Sequence, residues 1–412
     1  MPHSPAPLTL PGWIDPEAVF LHLFATAADA FWLDAGRDAS TGWSWMGTGR
    51  LDASAEPLGR DAAASGDARD DAGPFHGGWV GWRSYEGADS WLRVHAFLAF
   101  DHARRRVHVF GDDDLAARAA AAPDPAPVVA TEPRGTASAR VSPDRYAQLI
   151  EACRERIREG DAYQLCLTTR FTVAGETDAV AVFRRLRRAS ASHHAGFVRI
   201  DGTTLVSASP ERFLEVRGGR VHTHPIKGTR PRSTDPVRDA VLAEELRTDA
   251  KERAENVMIV DLMRNDLSRV CEPSSVGVDR LLEVETYPTV HQLVSEVSGR
   301  LLPGITVGGL LDAAFPAGSM TGAPKQSAMQ ILAGLERAER GIYSGAFGWI
   351  GDDGATNLAM VIRSVIVEHD AAWVGAGGGI TWRSVAASEV AEVGIKARAP
   401  LAALGAQVPP GW

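Results

Sequence analysis

The first hundred residues alternate short apolar runs with glycine, aspartate and tryptophan. Runs of this length between turn-forming residues are typical of β-strands. Seven of the eleven tryptophans lie before residue 92, and such large aromatic side chains commonly fill a sheet-based core. We therefore expect a β-rich subdomain over residues 1–135. Its predicted strands lie at 30–34, 43–46, 77–82, 94–100 and 106–110.

A different pattern begins at Ser142, where a capping serine and Pro143 predict a helix that runs to Gly160. Further helices are predicted at 178–190, 236–270, 327–339 and from 386 onward, and strands at 160–170, 195–200, 204–209, 212–216, 343–350, 357–367 and 372–382. Because strands and helices come in blocks, we favour an α+β fold with antiparallel sheets. The alanine- and proline-rich stretch 111–140 predicts a linker before a catalytic domain at residues 140–405.

Composition narrows the function classes. The chain of 412 residues carries a net charge of -9 and has no basic stripe, so we expect no nucleic-acid partner. The three cysteines lack both the CxxC spacing of zinc sites and an even-numbered disulfide framework. Neither a long apolar run nor a signal-peptide pattern is seen, so we expect no membrane partner. Together these features predict a cytoplasmic protein.

Lysine is rare in this chain, since only four of the 43 basic side chains are lysines. Lys227 lies in the segment 221–232, where an alternating stretch ends in Pro225 and Gly228 follows the lysine directly. A chain that supplies its surface charge as arginine keeps lysine where a compact amine is useful, as a nucleophile or a carboxylate ligand. A surface lysine at a strand end explains the same residues, and the sequence leaves both interpretations open.

Two pairs of glutamates, each three residues apart, lie on predicted helices. Glu252 and Glu255 continue an apolar face, whereas Glu389 and Glu392 are followed one turn later by Lys396. Carboxylates this close repel unless a cation lies between them, and Mg²⁺ is typically held by one or two carboxylates shared with an anionic ligand. The pairs therefore predict a magnesium site, with solvated helix edges as the alternative.

Two glycine-containing segments offer donors for an anion. Residues 375–379 follow a predicted strand without GxGxxG spacing, so a carboxylate is a better ligand for their amides than a dinucleotide. Residues 318–325 combine hydroxyl groups with a second rare lysine, Lys325, just before a helix, and we expect an anion site there. The motif of a serine-hydrolase nucleophile elbow is not found.

Taken together, these segments resemble the chorismate-utilising enzymes, a family that includes anthranilate synthase component I, aminodeoxychorismate synthase component I, isochorismate synthase and salicylate synthase. The matching motifs follow the family order across residues 140–400, at 160–164, 209–213, 225–230, 253–266, 291, 318–325, 375–379 and 389–396. The resemblance implies an anthranilate synthase component I-like fold, with two β-sheets packed together and helices on the outside. It also implies a Mg²⁺-dependent site at their junction.

Two positions distinguish the subfamilies. Members that add water at C2 of chorismate share a lysine base where this chain has Gln164, which disfavours isochorismate and salicylate synthesis. Anthranilate synthases carry alanine at the position of Lys227, and a lysine there resembles aminodeoxychorismate synthase component I. This likeness implies that chorismate and ammonia yield 4-amino-4-deoxychorismate through a covalent lysine intermediate at C2. Anthranilate synthase component I is the alternative.

The resemblance also implies roles for the matching residues. Lys227 corresponds to the nucleophile and Glu211 to the acid and base for the departing hydroxyl. The implied metal residues are Glu255 and Glu392 as direct ligands, with Glu252 and Glu389 orienting bound waters. The implied substrate-binding residues are Thr229, His291, Ser319, Tyr343, Arg363, Gly377, Gly378, Gly379 and Lys396. Among these, the glycines and Lys396 are expected at the ring carboxylate, and Ser319, Tyr343 and Arg363 at the enolpyruvyl carboxylate.

Some features depart from the family pattern. Residues 383–387 lack the proline and acidic residues that relatives carry there, and residues 32–35 do not resemble the element of tryptophan-inhibited anthranilate synthases, so we expect little tryptophan feedback. Because no glutaminase motif occurs, ammonia is expected from a separate glutamine amidotransferase subunit. Two alternative functions stay open. One is a lyase that forms a Schiff base through its lysine, and the other is a regulatory protein that binds chorismate without turnover.

Overall fold

The computed structural model describes residues 7–66, 71–111, 113–190, 192–287 and 290–412. Its helices are α1 (Pro16–Leu23), α2 (Asp113–Ala120), α3 (Pro143–Arg158), α4 (Ala179–Ala189), α5 (Pro236–Thr248), α6 (Ala250–Ser268), α7 (Val307–Ala314), α8 (Lys325–Glu336) and α9 (Ala386–Ala403). Helix α3 begins as predicted, because the Ser142 side chain accepts a hydrogen bond from the backbone N–H of Arg145 and Pro143 occupies the first turn.

The first sheet has the strand order β1-β8-β7-β3-β2-β11-β12-β21-β22-β10-β18, and β9 pairs beside β10. Its strands are β1 (Leu8–Thr9), β2 (Ala30–Asp34), β3 (Trp43–Gly47), β7 (Phe97–Asp101), β8 (Arg106–Phe110), β9 (Ser138–Ala139), β10 (Gln164–Ala174), β11 (His194–Ile200), β12 (Thr203–Ser209), β18 (Gly322–Ala323), β21 (Ser364–Val367) and β22 (Ala371–Ile380). Neighbouring strands run antiparallel, as expected.

The second sheet has the order β15-β17-β14-β13-β20-β19-β5-β6-β4, and β16 pairs beside β17. Its strands are β4 (Arg50–Asp52), β5 (Gly78–Arg83), β6 (Asp89–Val94), β13 (Arg212–Arg217), β14 (Arg220–Thr223), β15 (Ile226–Pro231), β16 (Gly277–Thr286), β17 (Val290–Arg300), β19 (Ala346–Gly351) and β20 (Thr356–Met360). This sheet is also antiparallel.

The two sheets face each other across a shared aromatic core. Phe31 and Trp373 of the first sheet pack in one cluster with Trp82, Phe347 and Trp349 of the second. Two further clusters cover the outer faces, one between the first sheet and helices that include α3, α4 and α9, the other between the second sheet and α6 and α7. The predicted fold, with two packed sheets and helices outside, is thereby confirmed.

The strands before residue 111 extend both sheets. Strand β2 pairs with β11 of the first sheet, and β5 pairs with β19 of the second. The predicted boundary near residues 135–140 includes the short strand β9, which pairs with β10, and follows the stretch 122–135, where the structure has neither helix nor strand. That the first 135 residues act as a subdomain stays a prediction.

Two predicted elements are wrong because each is two elements. The helix expected over 236–270 is interrupted at Asp249, whose side chain accepts hydrogen bonds from the backbone N–H groups of Lys251 and Glu252 and begins α6. The strand expected over 357–367 is divided between β20 in the second sheet and β21 in the first, with Arg363 in the left-handed conformation at a φ of 53° between them. Both interruptions lie next to the site described below.

Across the described ranges, we find no helix with the length and apolar composition needed to traverse a membrane.

Candidate active site

Strand β15 carries Lys227 and positions it beside two helices. A bulge between Lys227 and Thr229 interrupts the pairing with β17, and Gly228 adopts a φ of 79° there. A Cβ at this glycine would lie 2.6 Å from the Leu246 side chain and 3.1 Å from that of Glu252, so only glycine lets the strand approach α5 and α6 this closely. The bulge therefore fixes Lys227 close to the glutamates of α6.

Buried Asn256 holds the same strand against α6. Its side-chain amide donates to the backbone carbonyls of Pro225 and Leu293, each at 3.4 Å, and accepts from the Ser295 hydroxyl at 2.5 Å. Strands β15 and β17 and helix α6 are thus joined through one fully buried side chain. A buried network with its partners in place rigidifies the elements it joins.

Glu211 lies in the turn before β13, buried and close to Lys227. The Ser319 hydroxyl donates a hydrogen bond of 2.9 Å to its carboxylate. Burial raises the pKa of Glu211 to about 7, although the charge of Lys227 and the Ser319 hydrogen bond act to lower it. A carboxyl group with a pKa near neutrality can both give and accept a proton at the pH of the cell.

The four predicted metal glutamates converge from two helices. Glu252 and Glu255 lie on α6, whereas Glu389 and Glu392 lie on α9. Burial raises the pKa of Glu252 and Glu255, and the charge of Lys227 counteracts this at Glu255. Glu389 is 4% exposed, and its Oε2 atom lies beside Gly378 on β22. The structure thus brings all four carboxylates together at one end of β22.

Lys396 is bound firmly at the edge of this cluster. Its ammonium donates to the Gly377 carbonyl at 2.9 Å and lies 2.8 Å from Glu392 Oε1. Burial would raise the pKa of Glu392, but the Lys396 charge and hydrogen bond outweigh burial and lower it. Lys396, Gly377 and Glu392 therefore form one connected edge beside the predicted position of the ring carboxylate.

Lys251 is a residue of this cluster that sequence reasoning missed. Its ammonium lies 3.5 Å from Glu389 Oε1 and 3.8 Å from Glu255 Oε1. A signal for it was present, because Lys251 is one of the four lysines of the chain and directly precedes Glu252.

Gln164 begins β10 with a side chain that is completely buried, and neither its amide nitrogen nor its amide oxygen has a hydrogen-bond partner among the residues that the structure describes. A Cβ at Gly379 would lie 2.3 Å from the Gln164 Nε2 atom, so this amide points at the glycine segment of β22. Buried amides without partners are costly, and such a group usually has a ligand or water as its partner.

Tyr343 and Arg363 lie together next to the aromatic core. Burial raises the pKa of Tyr343 and lowers that of Arg363, and the charges of Tyr343 and Glu392 both act on the guanidinium. The left-handed backbone at Arg363 follows the exit of the chain from β20. The structure therefore brings both residues to the Glu392 side of the site, and their contact with an enolpyruvyl carboxylate stays a prediction.

His291 and Thr229 lie at the β15–β17 edge. The ring nitrogens of buried His291 are 2.9 Å from the Thr286 hydroxyl and 3.0 Å from Asp239, so both nitrogens already have protein partners. Thr229 is exposed, and its Cα is paired with that of Gln292. Substrate contact by either residue stays a prediction.

The anion site expected at Lys325 is wrong. The Lys325 ammonium donates to Asp266 at 2.7 Å and to the Ala314 carbonyl at 2.8 Å. These two hydrogen bonds therefore connect α8 to α6 and to the end of α7. Lys325 is a structural lysine in this fold.

A cavity of about 670 Å³ lies between the two sheets, separate from the candidate site residues described in this section. Leu33, Asp34, Trp43 and Trp349 contribute to its walls, together with Ile226, whose neighbour on β15 is Lys227. None of the predicted catalytic, metal or substrate residues lines it. We place the chemistry at the carboxylate cluster, because there the titratable groups with shifted pKa values and the unpartnered amide of Gln164 converge.

Comparisons with known proteins agree with this geometry. The model of the chorismate binding enzyme family matches residues 23–402. The chain belongs to this family. It is 46% identical over 266 residues to aminodeoxychorismate synthase of Streptomyces pristinaespiralis, covering 64% of this chain and 37% of that relative. It is 42% identical over 297 residues to aminodeoxychorismate synthase component 1 of Klebsiella aerogenes, covering 72% of this chain and 66% of that relative.

Among solved structures, anthranilate synthase component I from Streptococcus pneumoniae superposes with a TM-score of 0.73 at 29% identity, covering 90% of this chain and 92% of the other. The matched segments thus span less than half of one curated relative and about two thirds of the other. Family membership and fold follow from these comparisons.

Proposed function

We propose that this chain converts chorismate and ammonia to 4-amino-4-deoxychorismate, as an aminodeoxychorismate synthase component I. The observation that carries the proposal is Lys227: its amine has no hydrogen bond or ion pair within the described chain, yet its charge acts on Glu211, Glu255 and Glu392. A lysine amine beside an acid of raised pKa and a carboxylate cluster suits nucleophilic chemistry on an anionic ring.

The proposed reaction has two displacements. In the first, the nitrogen lone pair of Lys227 forms a bond to C2 of chorismate, both ring double bonds shift, and the C4 hydroxyl leaves as water after Glu211 donates a proton. In the second, ammonia forms a bond to C4, both double bonds shift back, and the Lys227 amine leaves C2 with the bonding electron pair. The Glu211 carboxylate then takes back a proton from the new ammonium group at C4. The sum consumes chorismate and ammonia and releases 4-amino-4-deoxychorismate and water.

Glu211 suits the first displacement because its carboxyl group is protonated in part near neutral pH. The Ser319 hydroxyl, which donates to the carboxylate at 2.9 Å, holds the group in one orientation. A correctly positioned acid of matched pKa commonly contributes about 10²–10⁴-fold to the rate.

We propose Mg²⁺ as the metal, and the residues present fit it. Glu255 Oε1 is buried without a hydrogen-bond partner, as is typical of an oxygen reserved for a cation. No three of the four glutamates bring ligand atoms within 4.8 Å of one another, which suits an ion that uses one or two carboxylates and fills its other positions with water and substrate oxygens. When bound, Mg²⁺ would supply positive charge and a template for the ring carboxylate.

A different set of three side chains does meet that distance, namely His222, Asp279 and Glu296. There the Glu296 carboxylate already contacts two imidazoles, at 3.0 Å to His222 and 3.4 Å to His224. We assign the metal to the glutamates of α6 and α9, because Glu255 Oε1 has no hydrogen-bond partner among the described residues, whereas Glu296 Oε1 is shared by two imidazoles.

Ammonia is proposed to come from a glutamine amidotransferase subunit. The relative from Klebsiella aerogenes carries the name component 1, which is consistent with a separate second component. Turnover with ammonium salts but not with glutamine, in the isolated chain, is the expected behaviour.

The proposal is tested by incubating the purified chain with chorismate, ammonium and Mg²⁺ and identifying the product by mass spectrometry. We expect 4-amino-4-deoxychorismate. Anthranilate is the alternative product, and the likeness to the anthranilate synthase component I structure is the observation that favours it. A chain that binds chorismate and yields no product, even with an added amidotransferase, would instead match the regulatory alternative.

A further inference from the structure

Lys251 occupies a position that helix stability does not explain. It is the second residue of α6, where the backbone N–H groups already present partial positive charge. A lysine in the first turn is therefore unfavourable for the helix itself. Some other interaction has to compensate for it.

That interaction is with the carboxylates of both helices. The Lys251 ammonium lies 3.5 Å from Glu389 Oε1 on α9 and 3.8 Å from Glu255 Oε1 on α6. Although burial acts to lower the pKa of Lys251, the charges of Glu389, Glu255, Glu392 and Glu252 raise it. The Lys251 ammonium is thus a counter-charge that α6 and α9 share through Glu255 and Glu389, whereas Glu392 is paired with Lys396.

The contacts of Lys251 are loose compared with those of Lys396. A separation of 3.8 Å is beyond hydrogen-bond distance, so Glu255 Oε1 has no donor even with the ammonium nearby. The Lys251 side chain is 47% exposed, on a flexible four-carbon stem, whereas Lys396 is bonded at 2.8–2.9 Å to Glu392 and the Gly377 carbonyl. Of the two lysines, Lys251 is the one that can move away into solvent.

We propose that Lys251 is a built-in counter-ion that competes with the divalent ion for Glu255 and Glu389 and thereby sets the metal affinity of the site. A metal ion bound to Glu255 Oε1 needs the same oxygen that the ammonium faces, and two cations at one oxygen repel each other. Metal binding therefore requires Lys251 to leave the cluster, and its departure is a cost included in the measured affinity. This inference rests on the metal site of the proposed function.

The test is Mg²⁺ titration by calorimetry, without substrate, on metal-free protein at one fixed ionic strength. Lys251→Met keeps the length of the side chain and removes the competing charge, so we expect Mg²⁺ to bind about two- to fivefold more tightly, within the range for exposed ion pairs. Lys251→Arg retains the charge, and its affinity is expected to stay within about twofold of the wild type.

The matched control is Arg264→Gln, which removes one positive charge from the same helix at an exposed residue paired with Asp261, outside the cluster. We expect no change in its Mg²⁺ affinity. Equal or weaker binding by Lys251→Met would overturn the inference, because removal of a competing lysine should strengthen Mg²⁺ binding, whereas removal of a lysine that helps to hold the metal would weaken it. Tighter binding in both Lys251→Met and Arg264→Gln would also overturn it, since that would reflect net charge alone.

Failure of the metal site itself is distinguishable. If wild type and Lys251→Met both fail to bind Mg²⁺, the metal assignment and this inference fall together. If the wild type binds Mg²⁺ and Glu255→Gln abolishes that binding, while Lys251→Met leaves the affinity unchanged, the metal site stands and the competition is excluded.

Thermal unfolding supplies a second readout that a merely structural lysine would not move. In the presence of a chelator, Lys251→Met is expected to melt below the wild type, because Glu255 and Glu389 lose a nearby counter-charge. In millimolar Mg²⁺ that difference is expected to vanish or reverse. An equal deficit with chelator and with Mg²⁺ would contradict the proposal.

Discussion

Lys227 and Lys325 carry the same sequence signal and have opposite environments. Each is a rare lysine beside a glycine-containing turn. Lys325 is bonded to Asp266 at 2.7 Å and to a backbone carbonyl at 2.8 Å, with side-chain exposures of 17% and 5% for the ion pair. Lys227 has no such partner within the described residues, although its charge acts on Glu211 and Glu255.

The difference shows what residue scarcity can and cannot indicate. The scarcity of lysine indicates positions where arginine cannot replace it. It does not tell whether such a lysine forms a buried structural ion pair or acts as a nucleophile. The surrounding groups distinguish them. An amine bonded to a carboxylate and a carbonyl within the fold, as at Lys325, stabilises the fold, and an amine without such partners is available to a substrate. The following predictions separate the two roles.

The largest expected effect is that of Lys227→Ala on catalysis. Without the nucleophile, formation of 4-amino-4-deoxychorismate should fall by about 10³-fold, since loss of a nucleophile removes the whole covalent route. Because Lys227 makes no hydrogen bond or ion pair among the described residues and acts on the glutamates only at a distance, the melting temperature should fall much less than in Lys325→Met. Steady-state kinetics measures the rate of product formation, and calorimetric unfolding measures the melting temperature. A melting temperature that falls as far as in Lys325→Met would indicate a structural lysine and contradict the distinction.

Lys325→Met should behave in the opposite way. It leaves the Asp266 carboxylate buried without a partner, and we expect a loss of about 3 kcal/mol in the free energy of unfolding. Denaturant titration measures this. The control is the double variant Lys325→Met with Asp266→Leu, which removes both charges and should recover part of the loss. A single variant as stable as the wild type would show that the pair contributes nothing.

Glu211 predicts a pH dependence. Since burial raises its pKa to about 7, the proton donor is present below that pH, and kcat should fall as the pH rises through about 7. Glu211→Gln should lower the rate about 10²-fold and remove this limb of the profile. The same raised pKa means that the free energy of unfolding declines as the pH rises from the ordinary value of 4.5 through about 7, and the variant should lack that decline. An unchanged limb in Glu211→Gln would assign it to another group.

The smallest expected effect is at Gln164. Gln164→Leu replaces a buried amide without partners by an apolar side chain of similar size, so the free energy of unfolding should rise by about 1 kcal/mol. Chorismate binding should weaken about tenfold if the amide contacts the substrate. Denaturant titration measures the free energy of unfolding, and KM reports the change in chorismate binding. A loss of stability would mean that the amide has a partner within the protein.

Much of the fold could be predicted from local signals. The serine and proline that begin α3, and the aspartate that caps α4 at Asp178, have side-chain chemistry that depends on immediate neighbours. The glutamate pairs could be assigned to helix faces for the same reason. Residues three apart on a helix share a face whatever the tertiary structure is.

The parts that could not be predicted depend on distant groups. An apolar alternation does not reveal which sheet a strand joins, and Arg363 is a residue type that gives no warning of a left-handed backbone, so β20 and β21 were read as one strand. Lys325 was misassigned because its partner, Asp266, lies 59 residues away in the chain. Strand β16, with half of its positions exposed, lacks the apolar pattern that would reveal it.

The most direct test of the account is the mass of the intact protein after incubation with chorismate and Mg²⁺ in the absence of ammonia. We predict an adduct heavier than the protein by chorismate less one water, located on the peptide that contains Lys227, absent from Lys227→Ala and discharged as 4-amino-4-deoxychorismate when ammonium is added. An adduct that persists in Lys227→Ala, or rapid product formation by that variant with ammonium, would contradict the assignment of Lys227 as the nucleophile.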